Sequence, residues 1–274
     1  MKKKVSRFNV NHVIAFTLIL AILQSSCKKE EFSPSLTSEF EVQSKANGAT
    51  YKIKVGLPEN YKKGDGRYAS IYVLDGEENF DFVSKQCKEI SGKLGVPNVV
   101  VISIGYGHDR SIDYTPTKVS SMTGGGPLFI NFIETELIPL VEDNIDVDTS
   151  RSSRVILGHS YGGLFGTYAF TNRNKLFGNY ILLSPSLWFD DLITLQFEKE
   201  NREENKGISQ LVFMGIGEAE NFGRMQAPFE AFYQILRDHY APIRLEKNNE
   251  KNLGHRGSED PNIIKGLAFY FKNR

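Results

Sequence analysis

Hydrophobic and polar positions along this chain follow two periods. Residues 40–44 (Phe-Glu-Val-Gln-Ser) and 51–55 (Tyr-Lys-Ile-Lys-Val) alternate apolar and polar, the pattern of half-buried antiparallel strands. Asn47-Gly48 between them is a hairpin signal. Continuous apolar runs follow at residues 70–74, 98–104, 154–157, 180–183 and 211–214, as in parallel strands covered on both faces. Residues 243–246 are also strand-like. Helical spacing marks residues 79–94, 128–142, 164–172, 225–240 and 262–271. This order predicts an α/β protein: one doubly wound, mostly parallel sheet, with an N-terminal antiparallel hairpin and helices on both faces. Gly124-Gly125-Gly126-Pro127 reads as a mobile loop or a helix entry. Residues 190–206 are polar and charged without a strong period. They read as a solvated helix and loop in preference to a lid.

The first segment stands apart from this pattern. Lys2, Lys3, Lys4 and Arg7 precede an apolar run at residues 13–23, and Ser25-Ser26-Cys27 ends it. This is the layout of a secretory signal peptide. The cysteine after small residues resembles a bacterial lipobox, which implies that Cys27 becomes a lipidated N-terminus able to anchor the chain stably. Lys28-Lys29-Glu30-Glu31 resembles a surface-export signal of bacterial lipoproteins, and reads equally as a solvated spacer. The expected organisation is a signal peptide over 1–26, a tether over 27–38 and one catalytic domain over 39–274. The expected location is the bacterial outer membrane, on its periplasmic or outer side. Beyond residue 26 the chain carries 29 basic and 33 acidic residues, a net charge of −4, with no basic excess for nucleic acid. Cys87 is the one other cysteine and reads as a core residue. No metal-ligand spacing or cofactor motif is present.

The candidate chemistry lies at residues 155–164. An apolar run leads into Gly158-His159-Ser160-Tyr161-Gly162-Gly163 and then into a helical pattern. That context turns G-x-S-x-G into a nucleophile elbow, with Ser160 on a sharp strand-to-helix turn. A serine hydroxyl needs a histidine base, and the base needs an acid to orient it. Of five histidines, His12 lies in the leader, His108 precedes the serine, His159 sits inside the elbow and His239 sits in a helical pattern. His255, between Gly254 and Gly257 and ahead of the last helix, has the required order and loop position. The acid belongs after the run at 211–214, where Glu218 and Glu220 are both available and Glu220 is favoured. Backbone N–H groups of Tyr161 and of the Asp75-Gly76-Glu77 turn are candidates for an oxyanion hole.

These residues together resemble the esterase family that includes the enterochelin and bacillibactin esterases, esterase D and the antigen 85 mycolyltransferases. Tyr72-Val73-Leu74-Asp75-Gly76-Glu77-Glu78-Asn79-Phe80, the stretch from Arg110 through Asp113 to Pro116, and Gly217-Glu218-Ala219-Glu220 carry the resemblance, which runs from about residue 50 to the C-terminus. It implies the α/β-hydrolase fold, a triad of Ser160, His255 and Glu220, and an oxyanion hole from the N–H groups of Glu77 and Tyr161. It also implies a carboxylic-ester hydrolase without a cofactor, acting on a siderophore-type ester or trilactone. An acetyl or feruloyl esterase acting on polysaccharide, and a non-catalytic binding lipoprotein, are the alternatives. Arg110, Trp188 and Arg224 are candidate contacts for an anionic, aromatic substrate. For Arg110 the other reading is an ion pair with Asp113 that ties down its own loop.

Overall fold

The computed structural model describes residues 36–64 and 68–274. The signal peptide, Cys27 and nearly all of the expected tether lie outside the described residues. Strand β1 (Thr37–Gln43) begins two residues before the domain start expected from sequence and pairs antiparallel with β2 (Thr50–Gly56) across the predicted hairpin. The other strands are β3 (Ser70–Val73), β4 (Val100–Ile104), β5 (Arg154–His159), β6 (Asn179–Leu183), β7 (Gln210–Gly217) and β8 (Ile243–Glu250). They form an eight-stranded sheet in the order β1-β2-β4-β3-β5-β6-β7-β8. β2 meets β4 antiparallel, and every pair from β4 to β8 is parallel.

Helices cover both faces because successive residues of the central strands point to opposite sides. On one face Ile71, Val73, Val155, Leu157, Ile181 and Phe213 pack against α1 (Gly76–Leu94) and α8 (Glu259–Asn273), through residues such as Phe80, Val83, Cys87, Ile263 and Leu267. Cys87 is fully buried there, and burial pushes its thiol pKa up, so it is a core residue. The other face is aromatic. Tyr72 of β3 meets Phe177 edge-on at 5.7 Å, and Phe170 of α5 (Tyr161–Asn172) meets Tyr180 of β6 at 5.3 Å.

The helix expected over 128–142 is interrupted. It runs as α3 (Gly126–Phe132), a π-helical turn (Ile133–Leu137) and α4 (Ile138–Asn144). Pro139 lies in the first turn of α4 and lacks the N–H that a continuous α-helix would need there. Pro228 gives the same result after α6 (Ile193–Asn205): a π turn (Phe222–Gln226) precedes α7 (Ala227–His239). The triple glycine is a helix entry, with Gly126 opening α3 and Pro127 following it. β7 and β8 outrun their apolar patterns because their pairing continues to Gly217 opposite Glu250. The short helix α2 (Arg110–Asp113) lies in the β4–α3 connection, capped by Asp109, which accepts the Ser111 N–H at 2.7 Å.

Within residues 190–206, Ile193–Asn205 form a packed helix. The Glu198 carboxylate is fully buried and accepts two hydrogen bonds from Arg202 at 2.8 Å each and one from Tyr240 at 2.9 Å. Asn205 donates to the Thr171 carbonyl of α5 at 2.9 Å, and Phe197 packs on Tyr168 at 5.9 Å. The helix expected here is therefore packed and not solvated, and a buried, fully partnered glutamate is what conceals that from a reading based on apolar period. Glu198→Ala should lower unfolding stability by about 1–3 kcal/mol in a denaturant melt, since it strands Arg202 and Tyr240 without an acceptor. Turnover per folded molecule should stay at the wild-type level; a changed kcat would make the helix part of the site.

Candidate active site

Ser160 links β5 to α5 with φ 59° and ψ −116°, a conformation that a side chain adopts only under constraint. The constraint comes from both neighbours in the motif. A Cβ on Gly158 would lie 2.5 Å from the Gly162 carbonyl group, so only glycine lets strand and helix close this tightly. Hydrogen bonds then hold the turn: Ser160 N–H donates to the Leu183 carbonyl at 2.9 Å, and Ser186 N–H donates to the Ser160 carbonyl at 3.1 Å. The hydroxyl is left accessible at the carboxyl ends of the parallel strands.

β7 and β8 bring the other two groups to it. Past the strand ends, Glu218 N–H donates to the Glu250 carbonyl at 2.8 Å and Ala219 N–H to the Leu253 carbonyl at 3.0 Å. This zips the turn holding Glu220 to the loop holding His255. His255 Nδ1 stands 2.7 Å from Glu220 Oε2, and its Nε2 stands 2.9 Å from Ser160 Oγ. Glu220 Oε1 accepts from Ser184 Oγ at 2.6 Å, from Gly217 N–H at 2.9 Å and from Ser258 Oγ at 3.4 Å. Burial opposes ionisation of Glu220, yet the hydrogen bonds from His255, Ser184 and Gly217 outweigh it and hold the carboxyl below its ordinary pKa. An ionised acceptor at Nδ1 places the imidazole proton there and leaves the Nε2 lone pair facing the serine hydroxyl. Such an arrangement can remove the hydroxyl proton as the oxygen attacks. Glu218 is elsewhere: it is exposed and accepts the Asn252 N–H at 2.9 Å.

The two oxyanion candidates come from adjacent strands. Leu74 N–H donates to the Leu157 carbonyl at 3.0 Å, so the turns after β3 and β5 lie side by side. Glu77 and Tyr161 fall in the first turns of α1 and α5, where N–H groups have no intrahelical acceptor and the helix dipole favours negative charge. Gly76 lets α1 start hard against β4, since a Cβ there would lie 2.7 Å from the Ile104 nitrogen. Asp75, only 6% exposed and with φ 51°, caps this turn.

Arg110 is bound to that aspartate and not to Asp113. Its Nε lies 2.8 Å from Asp75 Oδ1 and its Nη2 lies 2.9 Å from Oδ2. Tyr106 donates to Oδ1 at 3.0 Å. Asp113 instead receives the His108 N–H at 3.2 Å and sits 3.3 Å from the His108 ring. The guanidinium of Arg110 also lies 5.9 Å from the Tyr161 ring. Arg224 stacks over Trp188 at 3.5 Å, and Trp188 stands 6.2 Å from Tyr161. Sequence reasoning had no signal for Ser184, Ser258 or Asp75 as partners, because each acts across a long stretch of chain.

A strand-to-helix nucleophile elbow on this sheet, with histidine and acid on the following strand ends, defines an α/β-hydrolase. The family model "Putative esterase" matches residues 44–254, and the chain belongs to that esterase family. It is 30% identical over 173 residues to a siderophore triacetylfusarinine C esterase of Aspergillus fumigatus, a match covering 58% of this chain and 59% of that protein's length. It is 28% identical over 221 residues to the ferri-bacillibactin esterase BesA of Bacillus subtilis, covering 71% of this chain and 75% of the other. The crystal structure of the BES protein from Bacillus cereus superposes with a TM-score of 0.76 at 27% identity, over 90% of this chain and 98% of that one.

Glu220→Ala should lower kcat on the order of 10⁴-fold, the scale seen when a triad acid is lost, while Glu218→Ala should stay close to wild type. Steady-state hydrolysis of a p-nitrophenyl ester distinguishes them, and the reverse order would make Glu218 the acid. Ionisation of Glu220 also favours the fold, because its folded pKa is depressed. That contribution is present above the unfolded pKa and is lost as pH falls through the folded one. Glu220→Gln should therefore show a shallower fall in Tm on the acid side than wild type.

Proposed function

We propose that this chain is a serine carboxylic-ester hydrolase acting on siderophore-type esters. The observation that carries the reading is the unbroken hydrogen-bond line from Ser160 Oγ through His255 to Glu220. In this reading Ser160 Oγ attacks the ester carbonyl carbon while His255 Nε2 takes its proton. The N–H groups of Glu77 and Tyr161 hold the oxyanion of the tetrahedral intermediate. The C–O bond to the alcohol then breaks as His255 returns the proton to the leaving oxygen, giving an acyl-enzyme. Water, deprotonated by the same histidine, releases the acid and restores Ser160. In a trilactone the leaving alcohol belongs to the same molecule, so the first attack opens the ring and tethers the linear product to the serine.

Two considerations favour a siderophore-type substrate. The Aspergillus fumigatus and Bacillus subtilis relatives carry that activity in their names. The Arg224 guanidinium over the Trp188 ring, close to Tyr161 beside the nucleophile, gives a cationic and aromatic surface suited to a flat anionic acyl group. Arg110 has the Nε/Nη2 edge of its guanidinium filled by Asp75, so its contribution is to hold the oxyanion turn and to present its exposed face to substrate.

We further propose that the protein is exported and anchored in the outer membrane through lipid on Cys27. The support is the basic, apolar and Ser-Ser-Cys sequence of the leader. Metabolic palmitate labelling should be lost in Cys27→Ser, and labelling that persists there would refute the anchor.

Ser160→Ala should remain folded and lose ester hydrolysis by about 10⁴-fold or more. Ferric catecholate trilactone, acetylated xylan and feruloylated xylan fragments, assayed in parallel, test the substrate. The trilactone should be turned over with the highest kcat/KM; a clear preference for a xylan ester would replace the substrate assignment. Unchanged turnover in Ser160→Ala would remove the mechanism.

A further inference from the structure

His255 belongs to neither a strand nor a helix. It lies in the loop between Glu250, the end of β8, and α8. A base that must stay within hydrogen-bond reach of Ser160 Oγ therefore depends on what holds this loop's main chain. Two donors reach the His255 carbonyl. Ser258 Oγ does so at 3.3 Å, and the ring of His159 does so more closely, with Nε2 at 2.9 Å. His159 is the residue before the nucleophile and is 6% exposed. Its ring centroid lies 4.6 Å from that of His255.

A carbonyl oxygen can only accept, so His159 Nε2 carries a proton. Its Nδ1 is 3.4 Å from Glu259 Oε2, at the start of α8. An ionised carboxylate there would set lone pair against lone pair if the ring is neutral, whereas a protonated one would donate to Nδ1. Burial raises the Glu259 pKa and, with His255 nearby, pushes that of His159 down to about 4, and both shifts favour the neutral pair. The charged groups facing His159 are Glu259, His255, Glu220 and Arg110. Those facing Glu259 are Asp75, Asp260 and Arg110. Glu259 Oε1 in turn accepts from Asn79 Nδ2 at 3.3 Å, in the first turn of α1. The His159 carbonyl faces Arg110 Nη2 at 3.4 Å. A line of contacts thus runs behind the triad, from the first turn of α1 to the main chain of the histidine loop: hydrogen bonds join Asn79 to Glu259 and His159 to the His255 carbonyl, and Glu259 approaches His159 Nδ1 at 3.4 Å between them.

We propose that His159 and Glu259 are positioning residues, which clamp the main chain of His255 so that its Nε2 stays aligned on Ser160. The proposal rests on reading Ser160 and His255 as nucleophile and base. It makes the histidine of the elbow a working part of the site, acting through its Nε2 donor, with Glu259 serving as a hydrogen-bond donor to Nδ1.

The test is steady-state hydrolysis of p-nitrophenyl butyrate by the full chain, with Tm measured on every variant. His159→Phe fills the ring's space without the donor. It should lower kcat by about 10- to 100-fold, the cost of a small misplacement of a reacting group, with KM nearly unchanged. His159→Gln, whose amide nitrogen can stand where Nε2 does, should restore most of kcat. Glu259→Gln, an amide that donates like a protonated carboxyl, should resemble wild type, while Glu259→Ala should fall as His159→Phe does. Wild-type kcat in His159→Phe, or a His159→Gln as poor as His159→Phe at equal Tm, would overturn the proposal. If His159→Phe does not fold, the Glu259 pair decides, and equal activities of Glu259→Gln and Glu259→Ala would also overturn it. A wild-type protein that does not turn over the ester would instead refute the catalytic reading itself, so the two failures are distinguishable.

Discussion

The close approach of Gly158 to Gly162 is the constraint on which the rest of the structure depends. It forces Ser160 into a left-handed backbone conformation that costs on the order of 1–3 kcal/mol for a residue with a side chain. The cost is offset locally by hydrogen bonds to the Leu183 carbonyl, from Ser186 and from Leu164. In return the hydroxyl is held clear of the sheet with its own N–H and carbonyl already satisfied. Every other functional group is placed relative to that oxygen: two helix N-termini beside it, and the zipped ends of β7 and β8 across from it.

Buried carboxylates hold these parts in register, and each has its acceptor sites filled. Glu220 takes hydrogen bonds from a histidine, two serines and a backbone N–H. Asp75 takes two from Arg110 and one from Tyr106, and its own N–H is capped by the Tyr114 hydroxyl at 2.9 Å. Full pairing is what makes buried charge tolerable, and it also explains the rigidity such a site requires. Asp75 Oδ2 lies 3.2 Å from where a Cβ on Gly162 would stand, so the turn after β3 and the elbow pack directly against each other.

The sheet and the Ser160 elbow were legible in the sequence because their causes are local. Apolar runs mark buried strands, and G-x-S-x-G after such a run marks a strand-to-helix turn. His255 was found by elimination and chain order. Glu220 and Glu218 differ by only two positions, and the choice between them depends on which way a turn of that length points its side chains. The helix over 193–205 was read as solvated, and its packing went unseen because Glu198, a charged residue, occupies a core position made possible by Arg202 and Tyr240. The Asp75 partner of Arg110 lies 35 residues away and that of His159 lies 100 residues away, so no spacing rule reaches them. The π turns were not legible because nothing in the apolar period marks where Pro139 and Pro228, each in the first turn of its helix, interrupt the pattern.

The central claim is that Ser160, activated by His255, is the nucleophile. Peptide-mapped mass spectrometry after treatment with an organophosphonate tests it most directly. The account predicts one adduct per chain, located on Ser160 and strongly slowed in His255→Ala. An adduct on another residue, or labelling of Ser160 that proceeds equally well without His255, would contradict it.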